Sequence, residues 1–236
     1  MPNSEPMTSF VAAQLESVAN REKAVRMAAY MRTDMAFYGV QKADRKRILR
    51  ELLRRFPAAD RSEYRDQVSA LWRRPNREEK YLAIAVARAY PRYVTLSSVP
   101  LYRGLIVEGA WWDFVDEIAI HLIGAVLVGQ RREMTPRVAV WIDDRDLWLR
   151  RTSIICQVGK RNETDEALLF DACSRRMTET EFFIRKAIGW ALRDYARTAP
   201  EAVRDFVIEH REQMSGLSFR EATKHLSSAN TEPATS

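Results

Sequence analysis

The 236-residue sequence predicts an all-α protein, a solenoid in which two-helix units stack into an α-α superhelix. Three observations lead to this prediction. Strand patterns are almost absent, and helix-period apolar patterns follow one another between short breaks of Pro, Asn, Asp or Gly. Only 8 glycines occur in the chain, which disfavours a loop-rich, all-β or Rossmann-type fold. Charged residues also recur at a nearly constant spacing, as stacked repeats require.

The predicted helices begin and end at ordinary local signals. Asn76 with Glu79 three residues later forms a capping box, and Pro57 ends the third helix. No internal linker is long enough to require a domain boundary, so residues 1–226 are predicted to form one solenoid domain, with a disordered small and polar tail at 227–236. The predicted helices span residues 9–18, 22–32, 43–56, 62–72, 76–90, 99–107, 113–128, 136–142, 146–158, 164–177, 179–197, 201–213 and 218–226.

A weak internal repeat places charged residues at steps of 35, 36, 35 and 35. These residues, called the ladder below, are Arg45, Lys80, Asp116, Arg151 and Lys186. Each lies in the first turn or two of a predicted helix, and another helix separates successive members, so their side chains are expected to point the same way. Four are basic, which suits a phosphate backbone along one face. Each of them alone can equally be a solvated helix position.

The composition sets limits on partners and location. A net charge of +6 and a pI near 9.5 permit nucleic acid or an anionic membrane as a partner. No secretory signal opens the chain, and the apolar run 119–129 is shorter than the roughly 20 residues that span a bilayer. We therefore expect a soluble, cytoplasmic protein. Cys156 and Cys173 are predicted to be reduced core residues, and three scattered histidines give no sign of a metal cluster.

The stretch at 111–116 carries the main candidate site. Trp112 and Asp116 are four residues apart and share one face of a helix, so a flat ring lies beside a carboxylate, a pair suited to recognising a cation. The helix dipole and nearby basic residues are expected to keep Asp116 ionised. The structural alternative is a core Trp, an N-capping Asp113 and an Asp116 that only stabilises the helix start. Trp111 is expected to be the core member of the two indoles.

Further candidates follow from the ladder register. Trp190 lies four residues after Lys186 and could reach the same face, or could fill the core instead. The register selects Arg151 over Arg150 as the arginine facing the groove. For Tyr30, on the second predicted helix, a place in the core and a place at the site both remain possible interpretations. Patterns for serine nucleophiles, nucleotide phosphates and zinc proteases are absent from the sequence. A carboxylate in an aromatic, basic groove suits charge stabilisation or the positioning of a water.

Four segments of the chain stand out together: WWDFVD at 111–116, WLRR at 148–151, FFIRKAIGWALRDYA at 182–196 and LSFREATKH at 217–225. In this order they resemble the AlkD family of bacterial DNA glycosylases, and two short segments, 29–31 and 39–41, look similar too. The resemblance covers roughly residues 9–226 and implies an all-α superhelix of HEAT-like repeats with duplex DNA in a concave basic groove.

The activity implied by the resemblance is release of positively charged N3- and N7-alkylated purines from duplex DNA, among them 3-methyladenine and 7-methylguanine, as the first step of base excision repair. The family's catalytic aspartate maps to Asp116, and its two stacking tryptophans map to Trp112 and Trp190. A DNA-contacting arginine maps to Arg151, and an aromatic residue near the lesion maps to Tyr30. The reaction needs no metal and no other cofactor.

DNA contacts are expected at further positions from the resemblance and the ladder together. The expected partner is duplex DNA with alkylated bases, bound by a monomer that associates with the nucleoid. One departure is Gly159, where the resemblance implies a lysine. The rival interpretations are a non-catalytic HEAT-like protein that binds distorted or branched DNA, and a solenoid that binds an acidic protein. The further DNA-binding residues are Gln41, Arg45, Lys80, Arg185, Lys186 and Arg220.

Overall fold

The structure is a computed structural model that describes residues 6–226, and the predicted tail at 227–236 lies outside the described residues. Every regular element in the described range is helical, as predicted. The chain divides between Val94 and Thr95 into two compact units, called the N-terminal and C-terminal units below. The prediction of one solenoid domain over residues 1–226 stays a prediction. No helix in the described range is long and apolar enough to cross a membrane.

Short polar side chains set the helix starts in the N-terminal unit. Asn20 and Asp60 each accept a hydrogen bond from the backbone N–H three residues later, and the predicted capping box of Asn76 and Glu79 is present. The third helix ends before Pro57, as predicted. The helices of this unit are α1 (Met7–Glu16), α2 (Arg21–Met31), α3 (Lys42–Arg55), α4 (Arg61–Trp72) and α5 (Arg77–Ala89).

A buried carboxylate holds the segment between α2 and α3. Glu78, fully buried in the first turn of α5, accepts hydrogen bonds from the backbone N–H groups of Tyr38, Gly39 and Val40 at 3.0, 2.8 and 3.0 Å. Gly39 has φ +83°, and a Cβ there would lie 2.0 Å from the Asn20 carbonyl oxygen. Three N–H donors satisfy the buried charge and fix the entry to α3.

The C-terminal unit carries the remaining helices. Its core combines the apolar stripes of several of them, and α12 contributes buried residues at helical spacing from Ile184 to Leu192. Gly189 lets α12 approach α14 closely, since a Cβ there would lie 2.9 Å from the Ser218 carbonyl oxygen. The helices are α6 (Val99–Gly109), α7 (Trp112–Ile118), α8 (Gly124–Gly129), α9 (Arg131–Trp141), α10 (Leu147–Ile155), α11 (Glu166–Arg175), α12 (Phe182–Tyr195), α13 (Pro200–Glu209) and α14 (Gly216–Ala222).

The helix predicted at 113–128 contains an irregularity. A π-helical segment, Ala119–Ile123, joins α7 to α8 and follows Asp116 within one turn. Directly after it, the backbone at Gly124 approaches α10 so closely that a Cβ would lie 2.1 Å from the Cys156 carbonyl oxygen. Cys156 is fully buried, and burial raises the pKa of its thiol to about 12, so it behaves as an inert core residue.

The helix predicted to start at Pro136 begins earlier in the structure. Proline favours the first position of a helix, which motivated the predicted start at 136. Instead α9 runs from Arg131 to Trp141 and carries Pro136 in its sixth position, where the ring removes one backbone donor. Pro136 is exposed, so water can solvate the carbonyl that loses its partner. The predicted start of this helix was therefore wrong, while the order of the helices is as predicted.

The repeat register is confirmed by the element order. The five ladder positions fall on α3, α5, α7, α10 and α12, and each is the fourth or fifth residue of its helix. At least one further helix separates each successive pair. The predicted all-α fold of two-helix repeats is therefore confirmed, because the same helix position recurs from one repeat to the next.

Candidate active site

Asp116 and Arg151 form the central ion pair of the C-terminal unit. The carboxylate Oδ1 and Oδ2 of Asp116 accept hydrogen bonds from Nε and Nη2 of Arg151 at 2.7 and 2.8 Å. This is the parallel, two-bond geometry in which a guanidinium best matches a carboxylate. Asp116 lies on α7 and Arg151 on α10, whose start is fixed by the Asp146 side chain capping Trp148 and Leu149. Two repeats thus bring consecutive ladder residues together.

Arg151 also joins a third helix. Its Nη1 donates to the backbone carbonyl of Phe183, at the start of α12, at 2.6 Å. The Arg151 guanidinium lies over the ring of Phe183, 5.9 Å from its centroid, and the rings of Trp111, Trp148 and Phe183 pack with centroid separations of 4.9 to 6.1 Å. Trp111 packs in this aromatic floor but is half-buried, like Trp112, so the choice of Trp111 as the core member of the two indoles stays a prediction. The aromatic floor and three helices leave Arg151 only 3% exposed, while the Asp116 side chain keeps 15% of its surface accessible.

The structure does not place Arg151 where the predicted contact with DNA would require it. Its guanidinium is buried and already bonded to Asp116 and to the Phe183 carbonyl. A phosphate at the surface would have to compete with these contacts. The structure gives Arg151 the role of holding and orienting Asp116, and the register argument that chose Arg151 over Arg150 selected the residue that faces the acid.

Burial and pairing act on the Asp116 carboxyl in opposite directions. Burial raises its pKa above the ordinary value of 3.8, while the hydrogen bonds and charge of Arg151 lower it, and burial has the larger effect. The neighbouring charges of Asp113 and Glu117 raise the pKa further. The sequence argument named the helix dipole and basic neighbours as the main influences, so it omitted the largest one. Arg151 remains the contact that favours the ionised form.

Trp112 and Trp190 lie on two of the helices that meet at the ion pair. Trp112 is the first residue of α7, one turn before Asp116, and is half-buried. Trp190 is half-buried on α12 and packs partly against the core of the unit. Each tryptophan therefore combines a packed part with an accessible part. Their roles as stacking residues stay predictions.

The ladder continues to a sixth position that the sequence argument missed. Glu221, on α14, lies 35 residues after Lys186 and accepts a hydrogen bond from its Nζ at 2.6 Å. Arg193 also pairs with Glu221. The Lys186 side chain is 39% exposed and the Glu221 side chain 19% exposed. The sequence contains this signal, because one further step of 35 residues from Lys186 reaches Glu221. Lys186, which is predicted to bind phosphate, is therefore already paired with an acid within the fold.

Arg185 and Arg220 differ from the ladder residues because neither forms an ion pair with any residue in the described range. Arg185 is half-buried, and its buried Nε makes no hydrogen bond to the described residues. Arg220 is exposed on α14. A buried guanidinium N–H without a partner is costly and suits an external acceptor. Their predicted role in DNA binding stays a prediction.

Two of the residues that are predicted to contact DNA, Tyr30 and Gln41, are exposed in the N-terminal unit. Tyr30, on α2, is 76% exposed, so the interpretation that placed it in the core is wrong. Gln41 precedes α3 and is exposed, with its side-chain oxygen 3.4 Å from Nζ of Lys23. Both side chains are accessible to a ligand from solvent.

The two ladder residues of the N-terminal unit are used inside the fold. Arg45 donates to the Val40 carbonyl at 2.6 Å and lies over the ring of Tyr81, 4.7 Å from its centroid. Lys80 donates to the Arg74 carbonyl at 3.0 Å and lies over the Trp72 ring. Like the other basic ladder residues, they bridge parts of the chain. The ladder as a whole is therefore a set of contacts within the fold, and exposed arginines elsewhere are better placed for phosphates.

Gly159, the departure from the family pattern, has a structural use. It has φ +78°, and its backbone N–H donates to Oδ2 of Asp194 at 2.6 Å, again across 35 residues. Lys160 follows it and is half-buried, and burial lowers the pKa of its ammonium group. In the described range, no group of three or more His, Cys, Asp or Glu side chains could hold a metal ion.

Comparisons with known proteins agree with this architecture. The family model for DNA alkylation repair enzymes matches residues 11–226. A solved structure described as a predicted DNA alkylation repair enzyme from Enterococcus faecalis superposes with a TM-score of 0.82 and 29% sequence identity, covering 89% of this chain and 98% of that chain. The search of curated proteins gives no match. The family model spans nearly the whole chain and the fold is shared, so the chain belongs to the DNA alkylation repair enzyme family.

Proposed function

We propose that the protein is a DNA glycosylase that hydrolyses the N-glycosidic bond of positively charged N3- and N7-alkylated purines in duplex DNA. The observation that carries the proposal is the Asp116 carboxylate, which Arg151 holds at two oxygens while part of its surface stays accessible. A carboxylate fixed in this way can act on developing positive charge without reorganising.

The chemistry asks little of the protein beyond a fixed negative charge and a water. An alkylated purine cation leaves with the electron pair of the C1′–N bond, so protonation of the base by a general acid is unnecessary. The remaining sugar has oxocarbenium character, as in glycoside hydrolysis generally. Ionised Asp116 stabilises that cation, the base leaves as a neutral molecule, and water adds to C1′ and loses a proton to solvent, which gives the abasic site.

Asp116 retains the acceptor capacity that this role requires. An ionised carboxylate offers about four lone-pair sites, and Arg151 occupies two of them. The remaining sites can accept hydrogen bonds from the attacking water. Arg151 restricts rotation of the carboxylate, and its contact with the Phe183 carbonyl restricts the guanidinium in turn. We therefore assign Arg151 as a positioning residue for Asp116.

Trp112 and Trp190 supply the aromatic surface near this carboxylate. Both are half-buried, on α7 and α12, two of the helices joined by Arg151. An indole face attracts a cationic nucleotide by about 0.5–2 kcal/mol, so the alkylated purine is favoured over its neutral parent. Arg185 and Arg220 are proposed to bind phosphates, with Tyr30 and Gln41 as further contacts. Phosphate contacts of this kind fix register without reading sequence.

The second candidate function is binding of distorted or branched DNA without catalysis. A specific observation favours it: Lys186 and Glu221 form a comparable ion pair two ladder steps later, where it joins α12 to α14. Asp116 and Arg151 could be a clamp of the same kind. A groove for an acidic protein is the third candidate, and it predicts weak duplex binding with little salt dependence.

The deciding experiment measures release of N7-methylguanine from methylated duplex DNA without added metal, with unmethylated duplex as the substrate control. Wild type should release the base in a single turnover. Asp116→Asn should keep duplex affinity and lower the rate by roughly 100-fold or more, since a fixed charge at the transition state is lost. Normal duplex binding without base release by wild type would establish the non-catalytic alternative.

A further inference from the structure

A polar cleft lies beside the C-terminal end of α12, in the C-terminal unit. It encloses about 560 Å³ between the segment after α10 and the turn that follows α12. Polar and charged residues form its walls, in contrast to the apolar groove lined by α6 and α9. The residues that line it are Gly159, Arg161, Asn162, Asp194, Arg197 and Thr198.

The charges of this cleft favour an anion. Arg161 and Arg197 are exposed, and neither forms an ion pair with any residue in the described range. Asp194 is the opposing charge, and its Oδ2 already accepts the Gly159 N–H at 2.6 Å. Two guanidinium groups against one hydrogen-bonded carboxylate leave an excess positive charge. Guanidinium groups also match the geometry of phosphate oxygens.

The position of the cleft relates it to the proposed active site. Asp194 lies four residues after Trp190 on α12, so the two side chains share one face, about 6 Å apart along the helix axis. Arg197 lies in the turn that ends this helix, where its N–H donates to the Asp194 carbonyl. Arg161 is held in a left-handed backbone conformation, φ +53°, which is uncommon for a residue with a side chain.

We propose that this cleft binds a phosphodiester of the DNA strand that passes Trp190, with Arg161 and Arg197 as its ligands. The site would fix the backbone a short distance from the alkylated nucleotide. The proposal rests on duplex DNA as the partner in the proposed function, and it does not depend on base release.

The first test uses undamaged duplex DNA and measures affinity over a range of salt concentrations. The double variant Arg161→Gln/Arg197→Gln should bind roughly tenfold more weakly at low salt and lose about two units of log–log salt slope, one per contact. The matched control Arg132→Gln/Arg137→Gln removes the same charge from exposed positions of α9 outside the cleft, and should change the slope little. Equal effects of the two double variants would overturn the proposal.

The second test removes the acid of the cleft. In Asp194→Asn the side-chain oxygen can still accept the Gly159 N–H, so the loop conformation is kept while one negative charge disappears. The variant should bind duplex DNA more tightly than wild type, because repulsion of the phosphate is removed. Weaker binding by a variant that melts at the wild-type temperature would show that the cleft attracts a cation, and would overturn the proposal.

A third test locates the phosphate and separates DNA from free phosphate. Duplexes are prepared with one neutral methylphosphonate linkage at each position in turn. At one position, wild type should lose affinity relative to the unmodified duplex, whereas the affinity of the Arg161→Gln/Arg197→Gln variant should not change, as expected for coupled partners. Additive losses at every linkage would overturn the assignment. So would binding of inorganic phosphate that the double variant abolishes without any change in the DNA salt slope.

The outcomes for the cleft and for the glycosylase stay distinguishable. At subsaturating protein, base release should slow in the double variant as its DNA affinity falls, whereas the control Arg132→Gln/Arg137→Gln should match wild type. If wild type releases no alkylated base, the salt slopes on undamaged duplex still decide the cleft. If wild type releases base but the double variant matches its control, the glycosylase stands and the cleft proposal fails.

Discussion

Two ion pairs in the C-terminal unit occupy equivalent positions and differ in their surroundings. Asp116 pairs with Arg151, and Glu221 pairs with Lys186, in each case across 35 residues. The first pair lies over an aromatic floor with its arginine 3% exposed. The second is partly solvated, and its acid receives an additional cation, Arg193.

The pKa values of the two acids move in opposite directions as a result. Burial raises the pKa of Asp116 in spite of its arginine, whereas hydrogen bonds from Lys186 and then from Arg193 lower the pKa of Glu221. The same repeat spacing thus produces a partly solvated ion pair at Lys186 and Glu221 and a desolvated carboxylate at Asp116. Desolvation is what distinguishes a carboxylate available for chemistry from one used for packing.

The largest expected difference between the pairs is in stability. Arg151→Ala leaves a buried acid without its partner and should lower the free energy of unfolding by about 3–5 kcal/mol. Lys186→Ala removes a partly exposed partner and should cost about 0.2–1 kcal/mol. Urea unfolding of both variants at neutral pH measures the contrast. Similar losses would mean that the two pairs are equally solvated, against the burial described above.

The second expected difference is in the pH dependence of base release. The proposed mechanism uses ionised Asp116, so the single-turnover rate should fall as pH drops through its pKa, which burial places above the ordinary value of 3.8. Arg151 opposes that shift, so Arg151→Gln should move the acid limb of the profile to higher pH. The measurement is base release against pH, within the range where circular dichroism shows the variant folded.

A matched control for this profile is Glu221→Gln, whose acid limb should coincide with that of wild type. A limb that moves equally in Arg151→Gln and Glu221→Gln would report general unfolding and would remove Asp116 from the assignment.

The smallest expected effect concerns Glu221 itself. Its lowered pKa means that it stabilises the fold above the ordinary glutamate pKa, and that this contribution is lost as pH falls through the lowered value. Glu221→Gln should therefore be less stable than wild type at pH 7, and the gap should close in acid. Its base-release rate at pH 7 should stay within about twofold of wild type, since Glu221 pairs with Lys186 and Arg193 and not with Asp116 or Arg151. A gap that widens in acid would contradict the assignment.

Much of the fold could be predicted from the sequence because its signals are local. The capping box at Asn76 and the helix end before Pro57 depend on neighbouring residues, and both are confirmed. The ladder register is confirmed for the same reason, since it needs only helix positions. Pro136 misled the assignment of α9 because a proline that suits a helix start can also be tolerated inside a helix at an exposed position.

The partners of the ladder residues could not be read from spacing. Stacked repeats bring residue i close to residue i+35, but spacing does not say whether a basic side chain turns to solvent or to its neighbour. Arg151 turns inward because Asp116 and the Phe183 carbonyl lie within reach. Arg161 and Arg197 are also 36 residues apart, but they lie after the ends of α10 and α12, where a helix register does not predict the direction of a side chain.

The contact between Arg151 and the Phe183 carbonyl makes the reactive carboxylate sensitive to the packing of α12. Asp116 is oriented by Arg151, and Arg151 is held in part by a backbone atom that no side-chain substitution removes. Any fraying or displacement of α12 relaxes the guanidinium and then the acid. The orientation of Asp116 is therefore a collective property of three helices, and if the proposed activity depends on it, heat or denaturant should abolish base release before the helices themselves melt.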